Sequence, residues 1–152
     1  MRTAAVVALI LSAAHGALAQ SACRLEGVWR LISPYPNAPP PPSGYRSMKI
    51  FTKEHFVFVG EEPGRIKEPK TAADSLAALL KTESGGGTYT AKGITYTEKY
   101  DFFWNPDYVG TSITWSCRTE GDKLYQSGAF PIYQAGRKVR EMRIQEIWRR
   151  IE

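Results

Sequence analysis

The sequence predicts an all-β fold, an up-and-down antiparallel barrel of about eight strands with one short inserted helix. Three observations point to it. Short alternating segments follow one another at even spacing, separated by turns rich in Gly, Asp and Asn. Aromatic residues make up 12% of the chain, which is typical of strands rather than of disorder. Gly27 and Trp29 open the first predicted strand, and Trp148 and Arg150 end the last one.

The Gly-x-Trp and the terminal Trp-x-Arg predict how the sheet closes. In small closed barrels a bulky indole fills the narrow end, and an arginine from the neighbouring strand can lie across its face. We therefore expect the first and last strands to lie side by side. Gly27, Trp29, Trp148 and Arg150, with Arg149 as the alternative arginine, are assigned to structural closure rather than to ligand contact.

The strands are taken in chain order from their alternation and from the turns between them. They are predicted at residues 27–33, 47–52, 55–60, 88–91, 94–102, 111–118, 123–130 and 138–151. Residues 34–42 contain a run of four prolines. Since proline fixes φ and cannot donate to a strand ladder, this segment predicts an extended loop after the first strand.

Residues 71–82 predict the one helix. Thr71 and Asp74 have the spacing of a capping box at its start. Three leucines share one helical face: Leu76, Leu79 and Leu80. We expect that face to pack on an open end or on the outer wall of the barrel, and the glycines at 85–87 to end the helix.

The first 19 residues have the parts of a secretory signal peptide. Arg2 supplies the positive charge, residues 4–14 form a short apolar run, and residues 17–19 match a small-x-small cleavage site. We predict cleavage after Ala19, a secreted or periplasmic location, and one mature domain over residues 20–152. No other segment is long and apolar enough to cross a membrane.

The full sequence carries a net charge of +5. The basic residues, Lys49 among them, are interspersed with glutamates and form no nucleic-acid-binding motif. They predict a solvated strand face rather than a nucleic-acid partner.

Cys23 and Cys117 are the two cysteines of the chain. Export permits a disulfide, which would tether the segment before the first strand to the barrel wall; two unpaired thiols are the alternative. A structural zinc site needs about four ligands, and His55 is the one histidine after the signal peptide. We predict no metal and, in the absence of a phosphate-binding or nucleotide-binding motif, no cofactor.

Several short motifs occur in the order found in one group of barrels. They are Leu25-x-Gly27-x-Trp29-Arg30-Leu31, Gly87-Thr88-Tyr89-Thr90, Tyr96-Thr97-Glu98, Asn105-Pro106-x-x-Val109-Gly110, Glu120-Gly121-Asp122-x-Leu124 and Glu146-x-Trp148-x-Arg150. On these residues the chain resembles the lipocalin-like (calycin) families of small secreted or periplasmic bacterial proteins. The resemblance implies eight to ten strands around an internal cavity, with no fixed ligand. The proline run and the position of the helix depart from the usual lipocalin layout.

Alternation sends every second side chain of a barrel strand inward. Applied to strands five, six and eight, it favours Tyr96, Glu98 and Tyr100, then Ile113, Trp115 and Cys117, then Met142, Ile144, Glu146 and Trp148. Two carboxylates, Glu98 and Glu146, are therefore expected inside, with Glu146 close to the Trp29 closure.

A buried carboxylate must be paired or hydrogen-bonded, and two roles stay open for Glu98. A tyrosine hydroxyl or an arginine such as Arg30 or Arg150 would make it structural. Alternatively it would orient a small ligand. The candidate ligand contacts are Tyr96, Glu98, Tyr100, Trp115 and Met142. If Glu98 contacts ligand, Glu98→Gln is expected to change affinity with little loss of fold.

The sequence favours binding of a small hydrophobic or aromatic molecule inside the barrel. A second class is a cofactor-free isomerase or cyclase in which Glu98 and a tyrosine form an acid–base pair. No catalytic motif accompanies it, so no catalytic residue is assigned. A third class is an envelope interaction protein with a filled barrel, which would use its outer face or the proline-rich loop. A cavity distinguishes the first class from the third.

Overall fold

The computed structural model describes residues 22–34 and 43–152, which form a closed antiparallel barrel of eight strands. The strands are β1 (Gly27–Pro34), β2 (Arg46–Phe51), β3 (His55–Glu61), β4 (Thr82–Lys92), β5 (Thr95–Phe103), β6 (Ser112–Glu120), β7 (Lys123–Gln134) and β8 (Arg137–Arg150). Each strand pairs with the next, and β8 pairs with β1. The helix α1 (Ala72–Leu79) joins β3 to β4, and a 3₁₀ turn (Pro106–Tyr108) follows β5. The predicted all-β, up-and-down barrel with one short helix is confirmed.

The seam between β1 and β8 closes the sheet as predicted. Trp29 lies opposite Arg150, and Leu31 lies opposite Trp148. The end of the barrel where β1 begins and β8 finishes is called the closed end below. The predicted signal peptide and most of the predicted proline-rich loop, residues 35–42, lie outside the described residues.

Trp29 fills the closed end. Its side chain is completely buried, and its indole Nε1 donates to the carbonyl of Leu25 at 2.6 Å. The Arg150 guanidinium lies over the indole, 4.3 Å from the ring centroid, and donates to the carbonyls of Arg24 and Glu26. A Cβ at Gly27 would lie 2.5 Å from the same guanidinium, so the Gly-x-Trp spacing makes room for the arginine.

A disulfide between Cys23 and Cys117 joins the segment before β1 to β6 at the closed end. Of the two alternatives for these cysteines, the structure contains the bridge. Together with the arginine, it fixes the chain that leads into the barrel.

The expectation that residues 85–87 end the helix is wrong, because these glycines lie inside β4. A Cβ at Gly85 would come within 2.6 Å of the Phe58 ring. At Gly87 it would lie 2.0 Å from the carbonyl oxygen of Lys99, beside a bulge between β4 and β5. Without side chains at these positions, β4 can pair closely with β3 and β5. The strand therefore includes the glycines and begins at Thr82, six residues before the predicted Thr88.

The helix begins as predicted and packs differently. Thr71 and Asp74 form the capping box. Three side chains, however, are exposed: Leu76 by 56%, Leu79 by 62% and Leu80 by 59%. Ala78 is the buried residue of the helix. Successive helical residues are about 100° apart, so Ala78 lies roughly 150° around the helix from the centre of the leucine face. The helix therefore contacts the rest of the protein through the side opposite the leucines. The predicted packing of the leucines is wrong.

In the described ranges, no helix has the length and apolar character needed to span a membrane.

Candidate functional site

A cavity of about 400 Å³ occupies the interior at the end opposite Trp29, which we call the cavity end. Residues toward the finishing ends of β3 and β5 and the starting ends of β2, β4 and β8 contribute to its lining. Its wall is mostly aromatic and includes Tyr100, Phe103, Tyr108, Trp115, Phe130 and Trp148. The barrel interior is therefore only partly filled by side chains.

Stacked rings make one side of the cavity rigid. Phe103 and Tyr108 stack with centroids 4.5 Å apart, and Tyr108 stacks on Phe130 at 5.2 Å. The Tyr108 hydroxyl donates to the carbonyl of Pro131 at 2.6 Å. The 3₁₀ turn presents Tyr108, and the Asn105 side chain caps that turn by accepting from the amide of Asp107. Rings held in this way form a flat apolar surface. Because they are already fixed, a molecule that packs on them causes little further loss of side-chain entropy.

Glu98 sits in the barrel interior with all its charge compensated. It is 1% exposed, and its Oε1 accepts from Lys49 Nζ at 3.0 Å. Its Oε2 accepts from the Tyr100 hydroxyl at 2.6 Å and from the Trp115 indole at 3.0 Å. The Lys49 ammonium also lies near three rings, 5.3 Å from the centroid of Trp148, 5.6 Å from Trp115 and 5.7 Å from Phe51. Burial, with the neighbouring Glu98 carboxylate, raises the pKa of Tyr100, so its hydroxyl stays a donor.

Glu146 is the second interior carboxylate, and it lines the cavity. Its Oε2 accepts from Gln126 Nε2 at 2.6 Å and from the Trp148 indole at 3.1 Å. The Tyr96 hydroxyl donates to Gln126 Oε1 at 2.6 Å, which fixes the amide with its nitrogen toward Glu146. Among the described residues, nothing donates a hydrogen bond to Oε1 of Glu146.

Burial raises the pKa of Glu146 above its ordinary value. Repulsion from Glu98 acts in the same direction, while Lys49 and the two hydrogen bonds oppose it. Both neutral donors hold the same oxygen, Oε2, and the residue lines the cavity. It can therefore accept a proton or a donor from a bound molecule.

A third carboxylate lies closer to the cavity end. Glu83 Oε2 accepts from the Tyr45 hydroxyl at 3.1 Å, and both residues line the cavity. Burial raises the pKa of both groups. A Cβ at Gly60 would lie 2.7 Å from the Tyr45 oxygen, so glycine on β3 leaves room for this pair.

The structure brings together three of the five predicted ligand contacts. Tyr100, Trp115 and Met142 line the cavity, although Met142 is 44% exposed. Tyr96 and Glu98 are fully buried and are not part of the cavity lining. Of the two roles left open for Glu98, the contacts favour the structural one, because Lys49, Tyr100 and Trp115 occupy both of its oxygens.

One of the predicted closure residues and the predicted partners of the carboxylates also need a new description. The cation paired with Glu98 is Lys49, neither Arg30 nor Arg150, whereas the expected tyrosine hydroxyl is present and belongs to Tyr100. Trp148 lies on the seam strand as predicted, yet its indole lines the cavity and holds Glu146. Glu146 itself is at the cavity rather than beside the Trp29 closure.

Sequence reasoning missed Lys49, Gln126 and Glu83. Lys49 was assigned to a solvated face, yet it is 5% exposed and shares the inward side of β2 with Ser47 and Phe51. The alternation Ser47-x-Lys49-x-Phe51 was a usable signal once an interior carboxylate had been predicted. Gln126 carried a weaker signal, since it alternates with Leu124 on β7.

The described residues contain no group of three or more His, Cys, Asp or Glu side chains able to hold a metal ion. No protein-family model matches the chain, and a search of curated proteins found no similar sequence.

Proposed function

We propose that this protein is a lipocalin-like binder of a small hydrophobic or aromatic molecule, acting outside the cytoplasm after removal of its signal peptide. The cavity of about 400 Å³ carries the proposal. It falls within the range of about 300–1,000 Å³ that is common for small-molecule sites. Apolar rings with a few fixed polar groups are the usual composition of such sites.

The two ends of the barrel support this proposal in different ways. Trp29, Arg150 and the Cys23–Cys117 disulfide make the closed end a rigid base. The opposite end holds the cavity and its stacked rings. The disulfide also supports export, because such bonds persist in oxidising compartments. The lipocalin-like relationship is supported by the closed eight-stranded barrel and by the Trp29–Arg150 contact between its first and last strands.

The other two function classes receive less support. An acid–base role for Glu98 needs a free carboxyl oxygen near substrate, whereas both of its oxygens are engaged and outside the cavity lining. A filled barrel is disfavoured by the cavity itself. Neither class is proposed.

Binding of the fluorescent probe 1-aminoanthracene to the purified mature protein tests the proposal. We expect saturable enhancement of its emission, together with quenching of tryptophan emission, since Trp104, Trp115 and Trp148 line the cavity. Ile144→Phe adds volume to a cavity-lining position and should weaken binding about tenfold or more. Ile50→Phe adds the same volume on the outer wall and should leave binding unchanged. Equal effects of the two substitutions, or no saturable binding, would contradict the proposal.

A further inference from the structure

We infer that the bound molecule carries a protonated amine, and that Oε1 of Glu146 accepts its hydrogen bond at the base of the cavity. This inference rests on the proposed function and narrows it from hydrophobic or aromatic molecules to aryl-alkyl amines.

The first argument is the hydrogen bonding of Glu146. Oε2 is occupied by Gln126 and Trp148, at 2.6 Å and 3.1 Å. Gln126 is in turn fixed by Tyr96. The carboxylate is therefore locked in one orientation, with Oε1 the oxygen left for the cavity that Glu146 lines. A carboxylate oxygen only accepts, so the complementary group on a ligand is a donor, and a charged donor makes the stronger bond.

The second argument is the balance of charge. Of the described residues that line the cavity, Lys49 is the one cation, while Glu83 and Glu146 are both acids. Lys49 is committed to Glu98, 3.0 Å away, which lies behind the cavity wall. One positive charge thus faces three carboxyl groups in the same interior. Buried charge without a counterion is costly, so a ligand that brings a positive charge is favoured over a neutral or anionic one.

The third argument is the wall next to Glu146. Trp148 donates to Oε2 of this carboxylate, so its indole lies beside Glu146. The same indole and that of Trp115 already attract the Lys49 ammonium at 5.3 Å and 5.6 Å. Indole faces stabilise a cation at such distances, and the stacked rings of Phe103, Tyr108 and Phe130 offer an apolar surface to the rest of the ligand.

Three probes of nearly the same shape and different charge test the inference. They are 1-naphthylmethylamine, 1-naphthalenemethanol and 1-naphthoate, titrated by calorimetry at pH 7.5 into the intact mature protein. We expect the amine to bind about tenfold tighter than the alcohol, since hydrogen bonds to charged groups are stronger than neutral ones. The naphthoate should bind most weakly.

Substitutions identify the carboxylate that makes the amine bind tighter than the alcohol. Glu146→Gln keeps an acceptor for Gln126 and Trp148, and it should bring the affinity of the amine to that of the alcohol. Glu141→Gln, on the same strand and exposed, should keep the tenfold preference. Glu83→Gln should keep it too, because Glu83 is hydrogen-bonded to Tyr45 and, unlike Glu146, does not accept from the Trp148 indole that would stabilise the amine. Far-ultraviolet circular dichroism checks that each variant is folded, and the ranking of the three probes on the wild-type protein tests the inference independently of any variant.

The outcomes separate the two proposals. If the alcohol binds as tightly as the amine, the ligand class is wrong and the binding function stands. If the preference vanishes in Glu83→Gln and survives in Glu146→Gln, the assignment to Glu146 is overturned. If none of the three probes and no 1-aminoanthracene binds, the proposed function fails and the inference falls with it.

Discussion

Removing the ammonium of Lys49 should destabilise the barrel strongly. The Lys49 and Glu98 side chains are 6% and 1% exposed, and their charged atoms are 3.0 Å apart. Lys49→Met keeps most of the aliphatic stem and leaves Glu98 as a buried charge without a counterion. Breaking a buried pair in this way costs about 3–5 kcal/mol. Since domains of this size are stable by about 5–15 kcal/mol, the loss is large but measurable.

Urea unfolding followed by tryptophan fluorescence measures this effect. We expect a midpoint shift equivalent to about 3–5 kcal/mol, and a melting temperature lower by about 10 °C or more. Lys53→Met removes a lysine from the exposed turn after β2 and should stay within about 0.5 kcal/mol of the wild-type protein. Glu98→Gln should also destabilise the protein, because it leaves the buried Lys49 ammonium without a counterion. Little loss of fold was expected only if Glu98 contacts ligand, and a clear loss of stability would assign it the structural role.

The double variant distinguishes pairing from packing. With both charges gone, the glutamine still accepts from Tyr100 and Trp115, so stability should return to within about 1 kcal/mol of the wild-type value. A double-mutant cycle then gives a large coupling energy between the two positions. If Lys49→Met costs less than about 1 kcal/mol, or if the double variant is as unstable as the sum of the single ones, the pair does not hold the interior together.

Three further changes test other parts of the structure. Burial raises the pKa of Glu146 above its ordinary value of 4.5, so ionising this carboxyl in the folded state is unfavourable. The free energy of unfolding of the wild-type protein should therefore fall as the pH rises from 4.5 through the raised pKa. The urea midpoint of Glu146→Gln should fall less over the same pH range. The disulfide joins residues 94 apart, so Cys23→Ser with Cys117→Ser should cost about 4 kcal/mol, and its unfolding, unlike that of the wild-type protein, should not respond to dithiothreitol. Gly87→Ala should cost about 3 kcal/mol or more of stability, because its Cβ would lie 2.0 Å from a carbonyl oxygen. Gly121→Ala, whose Cβ would enter open space, should cost about 1 kcal/mol. Equal melting temperatures for the two variants would contradict the packing argument.

The strand pattern was predictable because it depends on local alternation and on turns. Trp29 and Arg150 were predictable as partners because a closed barrel must bring its first and last strands together. The three glycines at 85–87 misled the prediction, since glycine after a helix usually ends it. Their actual reason is the nearness of Phe58 on β3 and of Lys99 on β5, which no local pattern reveals.

The site was predicted in part for a related reason. Alternation correctly placed Tyr100 and Trp115 inside, but it gives no depth along the barrel axis. It therefore ranked Glu98 above Glu146 as a ligand contact. Lys49 was placed outside because a lysine is rarely buried without a partner, and its partner lies 49 residues away in sequence.

The different surroundings of the two interior carboxylates imply different roles. Glu98 is paired with the Lys49 ammonium at 3.0 Å, so its counterion is supplied by the protein itself. Within residues 22–34 and 43–152, Glu146 has only the neutral donors of Gln126 and Trp148 at hydrogen-bond distance. Neutral donors orient a carboxylate and lower its energy, but they leave the net charge of the interior unbalanced. The negative charge of Glu146 must therefore be balanced by a proton or by a positively charged molecule that enters the cavity. The proton and the ligand then compete for a single oxygen of this carboxylate. The barrel thus combines a structural ion pair, which maintains the cavity, with a carboxylate whose protonation can respond to what the cavity holds.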